Sequence, residues 1–474
     1  MRQGTLDRRS FTVADQTDFA VLSGDWNPLH VDPVAARRSL FGEPLVHGVH
    51  LLLWALDRDL AASDGPVMIR ELRVAFKKPA RLNVPLVLEA SSAGDETRLR
   101  VLDGKQLVCD VLVIWSAGPA IRQDVVDRSW AAAAPVELRR DEITTAVHGA
   151  LELAVDGTHA RARFPQVCAR VGLRVVAELL ATTRLVGMRC PGLHSLFGGM
   201  VLRATSRVSE VLEYEVQRAT QKYSMVDLVV RGDSLEGTIE AYIRPEPQPG
   251  PSLTALRAAV TPGELVGQRA LVVGGSRGLG EAIARGLALG GAEVCLTYHR
   301  GAEDAARIVD EIVAAGGRIV AEQLDVTQDA AVRWPFAEPP THLYYLATPR
   351  IPAVGKLTGE DLQSMLRFYV TAFHAVVEAT SALAKADLVV WTPSTVFLDS
   401  GTGSAAYTVA KAAMEELCRR LPAMLPVRVR CPRLPRIATD QTAGLIQVSA
   451  APALDIALAE IRAAHALASP PRPT

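Results

Sequence analysis

Residues 269–289 read Arg-Ala-Leu-Val-Val-Gly-Gly-Ser-Arg-Gly-Leu-Gly-Glu-Ala-Ile-Ala-Arg-Gly-Leu-Ala-Leu. The first five are a short apolar run with strand character. Glycines then punctuate a turn, and Gly280–Leu289 carries a helical apolar pattern. Working outward, Ala292–Thr297 reads as a strand and Ala302–Ala315 as a helix, with further strand candidates at 318–324, 342–347 and 387–392. Strands alternating with helices predict an α/β domain built on a doubly wound parallel sheet, with helices on both faces.

The turn Gly274-Gly-Ser276-Arg277-Gly278-Leu279-Gly280 lies between the first strand and first helix of this region. Glycines there permit a tight turn and bring backbone N–H groups and a helix N-terminus to a pyrophosphate, so the segment predicts a Rossmann-type dinucleotide site. The second strand ends Leu296-Thr-Tyr-His-Arg300, without the acid that would hold a ribose 2′-hydroxyl. Arg277 and Arg300 with no carboxylate suit a 2′-phosphate instead, which selects NADPH/NADP. Asp325-Val326, after the third strand, is placed to accept from an adenine amino group; its plainer reading is a strand-terminal turn.

Tyr407 and Lys411 share one face of the helix-forming stretch Ala405-Ala-Tyr-Thr-Val-Ala-Lys-Ala-Ala, and Ser394 lies upstream, just past a strand. A phenol with pKa of about 10 needs a nearby ammonium before it works as an acid–base group at neutral pH, and a serine hydroxyl can hold a substrate carbonyl. The region of about 264–440 resembles the short-chain dehydrogenase/reductase family, especially its 3-oxoacyl thioester reductases. The resemblance implies Ser394, Tyr407 and Lys411 as the catalytic set. Three departures stand out. The family's Asn-Asn-Ala-Gly reads Tyr345-Leu-Ala-Thr348, its relay asparagine aligns with Tyr369, and the tail after Pro435–Asp440 lacks the usual last strand that supports dimer packing.

Near the other end, Ser23-Gly-Asp-Trp-Asn-Pro-Leu-His-Val-Asp32 places a carboxylate, Asp25, and an imidazole, His30, around Asn27-Pro28. The dipeptide favours an extended or turn geometry, so both side chains can converge from a loop and hold a water or hydroxyl. The plainer alternative is a helix-capping turn. With Pro44-Leu-Val-His-Gly48 the stretch resembles the MaoC-like, (R)-specific enoyl-thioester hydratases, whose hot-dog fold wraps an antiparallel sheet around a long helix. That similarity covers roughly residues 10–115. It implies Asp25 and His30 as acid–base pair and the Gly48 N–H as the donor that polarises a thioester carbonyl. His47 and His50 have a packed-core reading as well, favoured for His50.

The pattern of one apolar helix followed by antiparallel strands occurs twice. The first copy has Pro44–Leu60 and then strands at 66–77, 85–92, 97–102 and 106–115. The second has Val171–Val186 and then strands near 201–208, 211–219, 225–231 and 236–243, without an Asp-x-Asn-Pro-x-His motif. His194 stands at a strand entry there. We expect a second, non-catalytic hot-dog that pairs with the first and shapes an acyl tunnel. The predicted fold is therefore an α+β double hot-dog followed by an α/β Rossmann-type doubly wound parallel sheet. Its domains are 1–118, 119–243, a proline-rich linker at 244–263, and 264–474; the linker signal is Arg244-Pro-Glu-Pro-Gln-Pro-Gly-Pro-Ser252.

With 474 residues, 49% apolar, the chain can fill several cores, and a net charge of −1 offers no footprint for nucleic acid or an anionic membrane. Six cysteines show no metal or redox spacing, so no metal is expected and a reducing, cytoplasmic setting is. No run approaches the roughly 20 apolar residues of a membrane helix. These readings converge on a bifunctional ketoreductase and dehydratase of acyl-CoA or acyl-carrier-protein thioesters, in fatty-acid or polyketide-type synthesis. A carrier protein is the partner in one form of that reading, and a homodimer is left open. Two alternatives stand beside it: a hydratase with a degenerate nucleotide-binding reductase domain, and a non-catalytic scaffold in a synthase assembly.

Overall fold

The computed structural model describes residues 2–62, 65–118, 123–220, 223–328, 332–351, 357–442, 444 and 448–468. The chain forms two compact units that divide between Glu246 and Pro247. Arg244–Ser252 has no regular structure, but the helix α8 introduced below begins at Leu253, inside the stretch expected to be linker. Pro119, assigned above to the boundary between the first two domains, lies outside the described residues.

The first unit runs through two similar series. The opening series is β1 (Arg2–Arg9), α1 (Val13–Ser23), short helices α2 (Pro28–Val31) and α3 (Pro33–Arg37), α4 (Gly48–Leu60), then β2 (Val67–Phe76), β3 (Leu86–Ala93), β4 (Glu96–Asp103) and β5 (Gln106–Ala117). The next is β6 (His148–Glu152), α5 (Gly157–Arg163), α6 (Pro165–Arg170), α7 (Leu173–Met188), then β7 (Ser195–Ala204), β8 (Val211–Thr220), β9 (Met225–Arg231) and β10 (Leu235–Ile243). All ten strands join one antiparallel sheet in the order β1-β3-β4-β5-β2-β7-β10-β9-β8-β6. Read inward from either edge, the two halves have the same topology and meet at the β2–β7 seam. Alternation puts one face of each strand on the core; β4, for example, buries Thr97, Leu99 and Val101. Helices α4 and α7 are buried almost all round, as their near-continuous apolar sequences require.

One expectation changes here. The dipeptide Asn27-Pro28 does not hold an extended loop: Pro28, with φ preset and no N–H to lose, opens α2, and Asn27 caps it by accepting from the Leu29 N–H at 3.1 Å. Strand β1 pairs with β3 at the sheet edge, within the first expected domain, 1–118.

In the second unit α8 (Leu253–Ala259) precedes β11 (Arg269–Val273), α9 (Gly278–Leu289), β12 (Glu293–Tyr298), α10 (Ala302–Ala314), β13 (Arg318–Gln323) and β14 (His342–Tyr345). Helix α11 (Gly359–Leu366) continues through a π-helical turn at Arg367–Ala372 into α12 (Phe373–Leu383). Then come β15 (Leu388–Trp391), the two-residue β16 (Ser394–Thr395), α13 (Phe397–Ser400), α14 (Ala405–Met424), β17 (Val427–Arg430), β18 (Arg433–Leu434) and α15 (Ala453–Ala466). Six parallel strands order as β13-β12-β11-β14-β15-β17, so the order reverses beside β11, where such sheets open a crevice at their carboxyl ends. Among the described residues, no helix is long and apolar enough to cross a membrane.

Candidate active sites

Helix α1 ends at Gly24, whose φ of +76° sits in the left-handed region and whose N–H returns to the Ala20 carbonyl at 2.8 Å. The chain then reverses and carries Asp25 into the interior. One carboxylate oxygen accepts from the Thr183 hydroxyl at 2.6 Å and the other from the Asn27 N–H at 3.2 Å. Burial pushes the Asp25 carboxyl up to about 6, against the pull of Thr183, Asn27 and the Arg184 charge. His30, on α2, donates from Nδ1 to the Leu45 carbonyl at 2.8 Å, which leaves Nε2 with its lone pair. Burial, assisted by the Arg244 charge, lowers the His30 imidazole to about 4.

His47 joins the same group. Its ring stacks on His30 with centroids 3.9 Å apart, and Nε2 donates to the Asp25 carbonyl at 3.0 Å. Polar atoms of Asp25, His30 and His47 all lie within 4.8 Å of one another. Asp25 and His30 face a cavity of about 860 Å³ that Gly48, Phe76, Thr183 and Gly187 also line. Gly48 opens α4, so its N–H belongs to the first turn, which has no intrahelical acceptor. A Cβ there would fall 2.8 Å from the Phe76 ring, so only glycine brings the helix end this close. The site thus offers a carboxyl that is easily protonated, an unprotonated imidazole nitrogen and a fixed N–H donor.

His50 takes the packed-core role: it stacks on Phe19 at 4.5 Å and meets Phe11 edge-on at 4.8 Å. Burial lowers its pKa to about 3, far under the usual histidine value. The unfolded chain therefore binds a proton below about pH 6.5 that the folded chain refuses, and stability falls as pH drops through that window. His50→Phe removes this penalty. Its unfolding free energy should fall about 2 kcal/mol less than wild type between pH 7.5 and 5, measured by denaturant titration; equal losses would refute the assignment.

In the second unit, Gly274 and Gly278 have φ of +80° and +58°, and a Cβ on Gly280 would fall 2.2 Å from the Gly274 carbonyl. The turn is closed by Gly275 N–H to the Thr297 carbonyl at 2.9 Å. Ser276 lies within the turn, Arg277 stands at the head of α9, and Leu279 packs on the core. A glycine turn opening a helix N-terminus in this way fits a dinucleotide pyrophosphate. Arg300 is exposed just past β12. Asp325 forms the strand-terminal turn: one oxygen accepts from the Thr327 N–H and hydroxyl at 2.9 and 2.7 Å, while Val326 is buried.

Ser394 lies on β16, and Tyr407 and Lys411 lie on α14. Ser394 and Thr395 point to opposite sides of β16, as strand neighbours must. Both are buried; the Ser394 hydroxyl has no hydrogen-bond partner among the described residues, and the Thr395 side chain draws the Tyr407 phenol down against the effect of burial. Lys411 donates to the Pro393 carbonyl at 2.6 Å and lies over the Tyr369 ring at 4.0 Å, against 5.7 Å for the Tyr407 ring. Burial raises the Tyr407 phenol and lowers the Lys411 ammonium to about 7.

Residues 2–106 match the profile of the family described as MaoC like domain, and residues 268–443 that of short chain dehydrogenase. The chain joins a MaoC-like domain to a short-chain dehydrogenase domain. Among relatives, "Hydroxynaphthalene reductase-like protein Arp2" of Metarhizium robertsii is 41% identical over 86 residues, 18% of this chain and 32% of that protein. "Protein MaoC" of Klebsiella aerogenes is 44% identical over 61 residues, 13% of this chain and 18% of that protein. The chain thus spans a third or less of the length of these curated relatives. A short-chain dehydrogenase from Burkholderia cenocepacia J2315, solved in complex with NADP, is 25% identical over 42% of this chain and 91% of that one, with a TM-score of 0.36.

Two departures of the short-chain dehydrogenase domain from its family pattern meet each other. Thr348 and Tyr369 share a short hydroxyl–hydroxyl hydrogen bond, with the Tyr369 ring under Lys411. In the first unit, Thr183 and Gly187 escape a linear reading because Thr183 lies 158 residues from Asp25 in sequence; their only local signal is Thr182-Thr183 within an apolar helix.

Proposed function

We propose that this chain reduces a 3-oxoacyl thioester with NADPH and dehydrates the resulting 3-hydroxyacyl thioester. The observation that carries the reading is one chain holding both constellations, since the product of the first step is the substrate of the second. The repeated strand order supports reading the first unit as a double hot-dog whose second half lacks the acid–base motif.

In dehydration the thioester carbonyl accepts from the Gly48 N–H, placing a donor where enolate charge develops. Nε2 of His30 removes the C2 proton, and the protonated Asp25 carboxyl gives its proton to the C3 hydroxyl, which leaves as water. Transfer of one proton from the imidazolium back to the carboxylate resets the pair. Each productive state, forward or reverse, carries one proton on the pair, so both directions share one pH window. In the second unit the turn Gly274–Gly280 would hold the pyrophosphate, with Arg277 and Arg300 near a 2′-phosphate and Asp325 toward the adenine. A bound nicotinamide supplies the hydride. Tyr407 donates the proton to the substrate oxygen, with Thr395 and Ser394 as flanking hydroxyls and Lys411 behind the phenol.

The test supplies NADPH with 3-oxobutanoyl thioesters of CoA and of a carrier protein. NADPH absorbance should fall and enoyl absorbance then rise; silence with both thioesters would overturn the reading. A second reading, a hydratase with a nucleotide-binding but inactive reductase domain, is favoured by Lys411 being engaged by Pro393 and Tyr369. NADPH binding without turnover, alongside enoyl hydration, would select it.

A further inference from the structure

The half of the first unit without the acid–base motif does more than wall the cavity. Thr183 and Gly187 are one helical turn apart on α7, so they share a face, and that face meets Asp25. Thr183 stands 2.6 Å from one carboxylate oxygen. A Cβ on Gly187 would fall 2.1 Å from the other oxygen and 2.6 Å from the carboxyl carbon, so any larger residue must displace the acid. The Gly187 carbonyl also accepts from the Asn27 side chain at 2.9 Å, with the Gly192 and Leu193 carbonyls at 3.2 Å on the same amide nitrogen. One residue further along α7, Met188 sulfur accepts from the Trp26 N–H at 3.2 Å.

The neighbouring threonine shows what the default would be. Thr182 returns its hydroxyl to its own helix, bonding the Leu179 carbonyl at 2.7 Å, as buried helical threonines commonly do. Thr183 instead sends its hydroxyl out of the helix to a carboxylate across the half–half boundary.

We propose that Thr183 and Gly187 are positioning residues for Asp25, so that the hydration site is built from both halves: acid, imidazole and N–H donor from the first, the orienting hydroxyl and the gap from the second. The proposal rests on the hydration reading above. The charged and titratable groups facing Asp25 are His30 from α2, His47 just before α4, whose Nε2 is 3.9 Å from the carboxylate, and Arg184 from α7. Thr183 and the Asn27 N–H are neutral donors to it. A hydroxyl that donates to the ionised carboxylate favours that form, and its loss makes the acid hold its proton to higher pH.

The experiment follows kcat/KM against pH for hydration of 2-butenoyl-CoA by the full chain. Thr183→Val should move the alkaline limb up by about one pH unit and lower the maximum about 10-fold or more, while Thr183→Ser restores both. Gly187→Ala should lower the maximum further, on the order of 100-fold, with wild-type circular dichroism. An unmoved limb in Thr183→Val overturns the proposal even if the rate falls, because damaged packing alone would not shift it. If Thr183→Val does not fold, Thr183→Ala, which adds no atom, reads the same limb. A wild-type chain that hydrates no enoyl thioester defeats the hydration reading instead.

Discussion

Asp25→Asn should lower hydration of a short 2-enoyl thioester by about 1,000-fold while leaving NADPH oxidation by 3-oxoacyl thioesters within about two-fold of wild type. The amide keeps an oxygen to accept from Thr183, at 2.6 Å in the native chain, so the fold has little reason to change. What is lost is the proton that the carboxyl exchanges. Accumulation of the 3-hydroxyacyl product, resolved by chromatography, would mark the block. The wild-type pH profile supplies a second check. His30 gains a proton below about 4 and Asp25 loses one above about 6, so the one-proton pair is most populated between them. Activity should therefore fall toward acid through the His30 limb and toward alkali through the Asp25 limb. A variant keeping a tenth of wild-type hydration would remove Asp25 from the mechanism.

Tyr407→Phe should reduce NADPH oxidation about 1,000-fold with hydration unchanged, because the phenol is the proton donor and phenylalanine keeps only its ring packing. The ring contact with Tyr369, 5.7 Å between centroids, survives the substitution. Loss of oxidation with retained NADPH binding, read by fluorescence of the bound dinucleotide, separates a chemical role from a structural one. If wild type itself binds NADPH without oxidising it, the engaged Lys411 is the explanation. Tyr369→Asn, which frees the ammonium from the ring beneath it, then becomes the variant in which reduction should appear.

Much of the fold is legible because it follows from local chemistry. The glycines at 274, 278 and 280 mark the strand–turn–helix joint, since two of them need positive φ and the third tolerates no Cβ. The apolar strands β11, β14 and β15 read as buried on both faces, and they are. Other elements leave no such mark. Strand β1, Arg-Gln-Gly-Thr-Leu-Asp-Arg-Arg, is largely polar and becomes a strand because β3 offers it an edge. Asn27-Pro28 carries a turn signal that a following helix overrides once proline sits at its first position.

The same division runs through the sites. Residue types at fixed short spacing were enough to bring Asp25 with His30 and Tyr407 with Lys411 into view, because a short segment limits where its own side chains can point. Nothing in the sequence signals that Tyr369, more than 40 residues before Lys411, places its ring within 4.0 Å of that ammonium. Thr183 and Gly187 reach Asp25 only because the β2–β7 seam joins the two halves and carries α7 across to the end of α1. Sequence by itself determined the chemical groups and their local elements. Tertiary structure alone decided their protonation, since burial that raises Asp25 and lowers His30 is a property of the packed interior.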